Sequence, residues 1–176
     1  MKYFTRGWID GEYSDEESER ITASYWEHVR ALSTQFTPGV ARLANDVGLH
    51  DAIIQRVRLQ SGGRLSLQLV CSIPETGCCD VQLRYSGVQI GDSYVQVLRD
   101  RSRDRDTCIL ESEVDIDSRR TYVHRMLFWP EGEISIWFKN VVVDKARRRD
   151  WRVLLNGYFI DDRASRKVSQ RRPTGK

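Results

Sequence analysis

"LHDAIIQRVRLQSGGRLSLQLV", residues 49–70, decides how the rest of the chain is read. From Asp51 the apolar period is two. Ile53, Val57 and Leu59 alternate with Arg56, Arg58 and Gln60, Ser61-Gly62-Gly63 supplies a turn, and Leu65, Leu67, Leu69 and Cys71 alternate with Ser66, Gln68 and Val70. Alternation on both sides of a glycine-bearing turn is the pattern of a β-hairpin with one dry and one wet face.

The pattern extends downstream. Val81, Leu83 and Tyr85 alternate with Asp80, Gln82 and Arg84, and further strands are expected at Tyr94 to Leu98, Thr107 to Ile116, Tyr122 to Trp129 and Glu133 to Val143. The joins are short, as at Ser86-Gly87 and Pro130-Glu131-Gly132. Short joins predict antiparallel neighbours, because a parallel pair needs a crossover of about a dozen or more residues.

Upstream the period is helical. Ser14-Asp15-Glu16-Glu17 is a capping box, with the Ser14 hydroxyl and the Glu17 carboxylate each placed to satisfy a backbone N–H of the other. Ile21, Tyr25, Val29, Leu32 and Phe36 then recur at three- to four-residue steps, which predicts a helix lying on a core. Thr37-Pro38 supplies an N-cap and a first-turn proline for a second, short helix carrying Val40, Leu43, Ala44 and Val47, ended by Gly48. The expected fold is α+β: an antiparallel, meander-like sheet of about six or seven strands packed against N-terminal helices.

With 176 residues, 40% apolar and 30% charged, the chain has enough bulk for one globular domain. We expect that domain to span residues 1–163. Trp151, Val153, Leu154, Tyr158, Phe159 and Ile160 are expected to dock as its last element, followed by a flexible basic tail over 164–176 with Val168 as its one sizeable apolar side chain. The opening residues lack the apolar core of a signal peptide and no stretch is long enough to span a bilayer, so a cytoplasmic protein with no membrane association is expected. Cys71, Cys78, Cys79 and Cys108 then read as free thiols. Cys71 and Cys108 are expected in the core; Cys78-Cys79, beside Gly77, is expected in a turn, where a neighbouring cation would make it a redox pair.

The charge is uneven. Residues 1–50 carry a net −3, residues 51–140 a net −1 and residues 141–176 a net +7. Lys145, Arg147, Arg148, Arg149 and Arg152 form the best phosphate-binding candidate, without an RNA-recognition, KH or zinc-finger pattern beside them. In Arg99 to Asp106 the interleaved aspartates cancel most of the field, so a solvated connection between strands is the expectation there.

His50-Asp51 invites a metal reading, since adjacent His-Asp supplies ligands in HD-type phosphohydrolases. A catalytic centre needs about three convergent ligands and an open position, and His28, His50 and His124 fall on a helix, a loop and a strand. The cysteine spacing fits zinc poorly. The phosphate loop, dinucleotide fingerprint, nucleophile elbow and His-Glu-x-x-His motif are all missing. We therefore expect no catalytic residues, no metal and no cofactor, with a hydrolase of unrecognised site as an open alternative.

Trp129, Trp137, Tyr122 and Arg125 fall on adjoining strands, and Trp and Arg are enriched at binding hot spots. Glu16 and Glu19 of the first helix are a second candidate surface. The opening "MKYFTRGW", the "LHDAIIQRVRLQSGGRLSLQL" hairpin and the closing "HRMLFWPEGEISIWFKNVVV" resemble the layout of small bacterial proteins of the DUF4085 group and of immunity proteins in toxin neighbourhoods. The resemblance covers about the first 145 residues as a pattern and brings no catalytic residues. It implies a non-enzymatic, cytoplasmic protein-binding module, an immunity-type inhibitor of a toxin. From the residues themselves, Glu16 and Glu19 are expected to meet a basic partner or the Arg-rich strands an acidic one, and Arg125, Trp129 and Trp137 are a further candidate surface. The alternative is a nucleic-acid-associated protein using the basic C-terminal segment.

Overall fold

The computed structural model describes residues 1–73, 77–147, 152–155 and 158–161. Helix α1 (Arg6–Ile9) is a single turn whose N-cap Thr5 accepts from the Trp8 N–H. Helix α2 (Asp15–Leu32) starts at the expected capping box, with Ser14 Oγ accepting from Glu17 N–H at 3.3 Å and Glu17 Oε2 accepting from Ser14 N–H at 3.4 Å. Three acids in its first turn meet the positive end of the helix dipole. A 3₁₀ turn (Ser33–Gln35) leads to α3 (Pro38–Asn45), capped by Thr37, with Val40, Leu43 and Ala44 buried.

The strands are β1 (Ile53–Gln60), β2 (Arg64–Ile73), β3 (Gly77–Ser86), β4 (Cys108–Ile116), β5 (Tyr122–Trp129), β6 (Glu133–Phe138) and β7 (Asn140–Arg147). They divide between two antiparallel sheets, one of order β1-β2-β3-β7 and one of order β4-β5-β6. A separate antiparallel ribbon joins β8 (Arg152–Leu155) to β9 (Tyr158–Asp161). The docking expected of Trp151 and its apolar neighbours, and the tail from residue 164, lie outside the described residues.

The core forms where the inner faces of the two sheets meet. Leu65, Leu67 and Leu69 of β2, Leu83 and Tyr85 of β3, Met126 and Phe128 of β5, and Ile136 and Phe138 of β6 belong to one buried cluster, which α2 and α3 extend with Tyr25, Val29, Val40 and Leu43. Leu67 is fully buried and stands between Val57 and Leu83 in the central strand pair. Isolated bridges tie the sheets at their corners: Ala52 pairs with Ile109, and Gln89 with Trp137. Helix α3 lies along β7. Thr37 Oγ1 donates to Asn140 Oδ1 at 2.9 Å, and a Cβ on Gly39 would fall 1.8 Å from the Val141 carbonyl oxygen, so only glycine permits this approach.

Four local expectations are corrected. Tyr94 to Leu98 is no strand but part of helix α4 (Asp92–Arg101), because Val95 and Leu98, three residues apart, are its buried positions and Gly91 supplies the N-cap. The Arg99 to Asp106 run therefore closes a helix and leads into β4, rather than linking two strands. Glu133 to Val143 breaks at Lys139, whose N–H bonds the Ser86 carbonyl, and its two halves enter different sheets. Within β1, a bulge at Gln55 shifts the alternation, so Ile54 rather than Ile53 joins Val57 and Leu59 on the inner side. The inner face of each sheet meets the other sheet as well as helices, where a single sheet covered by helices was expected.

Candidate functional site

The alternation that buries Leu65, Leu67 and Leu69 turns their neighbours outward, and the register aligns those neighbours across four strands. From β1 through β2 and β3 to β7, three consecutive rungs of the open face read Arg56, Gln68, Gln82, Asp144; Arg58, Ser66, Arg84, Val142; and Gln60, Arg64, Ser86, Asn140. This face is hollowed into a cleft of about 460 Å³. Strands lie about 4.8 Å apart and same-face residues about 6.7 Å apart along a strand. The four arginines thus fall within a patch of roughly 10 by 13 Å.

The four arginines are not equivalent. Arg84 is neutralised by Asp144 at 2.6 Å and also donates to Gln82 Oε1 at 3.1 Å. Among the described residues no hydrogen bond, ion pair or ring contact engages the guanidinium groups of Arg56, Arg58 or Arg64. Three uncompensated cations repel one another by about 0.5 kcal/mol per pair at ~8 Å in water, and more in a partly dry cleft. An anionic occupant removes that repulsion and supplies bidentate acceptors.

The outer face of the second sheet is occupied by the chain itself. The Glu113 carboxylate accepts backbone N–H groups of Lys2 (2.8 Å), Tyr3 (2.6 Å) and Phe4 (2.8 Å). Asp115, equally buried, accepts from Lys2 Nζ, from His28 Nε2 at 2.8 Å and from Arg125 Nη1 at 3.2 Å. Burial acts to raise the Asp115 carboxyl, but the bonds from Lys2, His28 and the Ile116 N–H outweigh it and hold the group well below the usual carboxylate range. Arg125 is engaged here, 3.2 Å from Asp115 and 3.8 Å from Glu113, and is largely buried. Trp129 and Trp137 share its face by register; Trp129 is 52% exposed, whereas Trp137 is half-buried and its carbonyl accepts the Gln89 N–H.

Glu16 and Glu19 stand exposed on α2. Lys145 and Arg147 are exposed on β7, with Lys145 Nζ donating to the Asp46 carbonyl at 3.4 Å. Arg148 and Arg149 lie outside the described residues, as does the side chain of Arg152 at the start of β8.

His50 occupies the turn before β1, and Asp51 takes the left-handed conformation (φ 58°) that aspartate tolerates better than most residues. His50 Nδ1 donates to the Leu110 carbonyl at 2.6 Å and lies 3.4 Å from Glu111. Its hydrogen bond to Glu111 is the main cause that pushes it up to about 9, so it is charged at neutral pH. It ties the β1 entrance to β4. No three His, Cys, Asp or Glu side chains among the described residues converge to hold a metal ion.

Cys78 and Cys79 are corrected from a turn to strand β3, both buried, and Cys79 faces Cys71 across the ladder. Burial pushes the Cys71 thiol up to about 12 and that of Cys79 upward, which opposes thiolate formation. Cys108 is half-buried. Between the sheets, Tyr85 Oη and His124 Nδ1 form a 2.8 Å hydrogen bond, both side chains fully buried. Burial lowers His124 to about 3 and raises Tyr85, so the pair is neutral.

The chain matches no protein-family model, no curated protein and no solved structure. The arginine array was within reach of sequence reasoning: each of three successive strands alternates leucine or valine with Arg, Gln or Ser. What periodicity alone does not supply is the register that puts Arg58, Ser66 and Arg84 on one rung.

Proposed function

We propose that this chain is a non-enzymatic protein-binding module, of the kind an immunity-type inhibitor represents, and that it covers its partner with the open face of the β1-β2-β3-β7 sheet. The observation that carries the reading is the concentration on one hollowed face of three guanidinium groups, Arg56, Arg58 and Arg64, that have no partner among the described residues. Arginine presents five donors in a planar fork and is favoured at interface centres. The surrounding Gln60, Ser66, Gln68 and Gln82 add donors and acceptors without charge. By contrast Arg125 is engaged within its own chain, and Glu16 and Glu19 lie on a helix surface outside that cleft.

Site-specific photo-crosslinking tests this. A photoreactive residue at Ser66, the centre of the open face, is expected to capture one protein in the native cell, and the same residue at Glu19 is expected to capture none. Capture from Glu19 and not from Ser66 would transfer the interface to α2 and overturn the reading.

A further inference from the structure

We infer that the occupant of the open sheet face is an acidic polypeptide surface, recognised by carboxylate pairing to Arg56, Arg58 and Arg64; the inference rests on that face being the interface. Three features of the face select this chemistry. The first is sign: the rungs hold four arginines against one aspartate, Asp144, and that aspartate already pairs with Arg84. The second is extent. The uncompensated charge is confined to β1 and the start of β2, with Asp144 on β7 limiting it at the other side. Nucleic-acid affinity grows with the number of phosphates neutralised along a backbone, and a patch this short neutralises about three. Two or three carboxylates on a folded partner span the same distance.

The third is the absence of stacking platforms. None of the twelve residues of the three rungs is aromatic, whereas surfaces that hold single strands stack bases on aromatic rings. The uncharged rung residues are Gln, Ser, Asn and Val142, side chains that suit the mixed polar contacts of a protein interface.

The test uses the full chain, a fluorescent oligoglutamate peptide and a fluorescent oligothymidylate of equal charge, with binding read by anisotropy. The peptide is expected to bind, and Arg56→Gln/Arg58→Gln/Arg64→Gln is expected to weaken it at least tenfold. Arg30→Gln/Arg119→Gln/Arg120→Gln, which removes the same number of charges from exposed positions outside the cleft, is expected to change it less than threefold. The oligothymidylate is expected to bind more weakly than the peptide and to be indifferent to the sheet substitutions. Equal loss from both triple variants would mean general charge attraction and overturn the inference, as would tighter oligothymidylate binding that depends on the sheet arginines. If crosslinking from Ser66 captures a protein while the peptide ignores the sheet substitutions, the interface stands and only its acidic occupant is refuted. Circular dichroism on both variants checks that they remain folded.

Discussion

His124 makes the protein acid-labile in a way that can be isolated. Its side chain is fully buried between the sheets, its Nδ1 bonded to Tyr85, and burial holds it down at about 3 against an ordinary value of 6.5. Because the unfolded chain takes up a proton at 6.5 and the native chain does not, this stabilising contribution is fully present above pH 6.5. It is lost progressively as pH falls from 6.5 toward 3. At pH 4.5, two units below the unfolded value, the deficit is about 2.7 kcal/mol relative to alkaline pH and about 2.5 kcal/mol relative to pH 7. The comparison protein is Tyr85→Phe/His124→Leu, which removes the titrating ring and does not strand the tyrosine hydroxyl in the core. Other titrating groups are common to both proteins and cancel in the difference. Urea unfolding at pH 7 and pH 4.5 is expected to show wild type losing about 2.5 kcal/mol more than the double variant over that interval. Parallel losses, within about 0.5 kcal/mol, would show that His124 protonates in the native state and refute the argument.

Leu67→Ala is expected to cost about 2–5 kcal/mol in equilibrium unfolding, since the side chain is fully buried between Val57 and Leu83, whereas Gln68→Ala on the open face should cost under about 0.5 kcal/mol. Asp115→Asn leaves Lys2, His28 and Arg125 around a buried neutral group and is expected to cost about 3 kcal/mol at neutral pH. Because the Asp115 carboxyl is held below its ordinary value of 3.8, its stabilisation is present above that pH and is lost as pH falls through the lower native value; the urea-derived gap to Asp115→Asn should therefore narrow only below about pH 4.

Much of the fold was legible in the sequence, for reasons visible in individual residues. Ser14 and Glu17 carry both halves of a capping box, Thr37-Pro38 marks a helix start, and Leu65 to Leu69 alternate without interruption. Tyr94 to Leu98 was misread because Tyr94, Gln96 and Leu98 mimic a period of two over five residues; only the longer stretch from Asp92 to Arg101 shows Val95 and Leu98 at a helical step. The break between β6 and β7 is marked in the sequence only by a change of parity, from Ile134, Ile136 and Phe138 to Val141 and Val143, on either side of Lys139, whose N–H bonds the Ser86 carbonyl. The candidate site was half legible. Arg56 and Arg58 declare a wet face, but their convergence with Arg64 and Arg84 depends on ladder register, and the engagement of Arg125 depends on Glu113 and Asp115 of a neighbouring strand.

Gly39 has a consequence for how any partner is read. An edge strand offers a row of backbone groups to whatever chain arrives, and strand addition of that kind recognises main chain before side chain. Here α3 runs beside β7 from Thr37, bonded to Asn140, to Asp46, bonded to Lys145, and at Gly39 no methyl group's width remains between helix and strand. That side of the sheet is shut to an incoming strand. On the β7 side a partner is left to meet the face, where recognition is written in separate side chains, so specificity there can drift one arginine at a time without disturbing the ladder beneath.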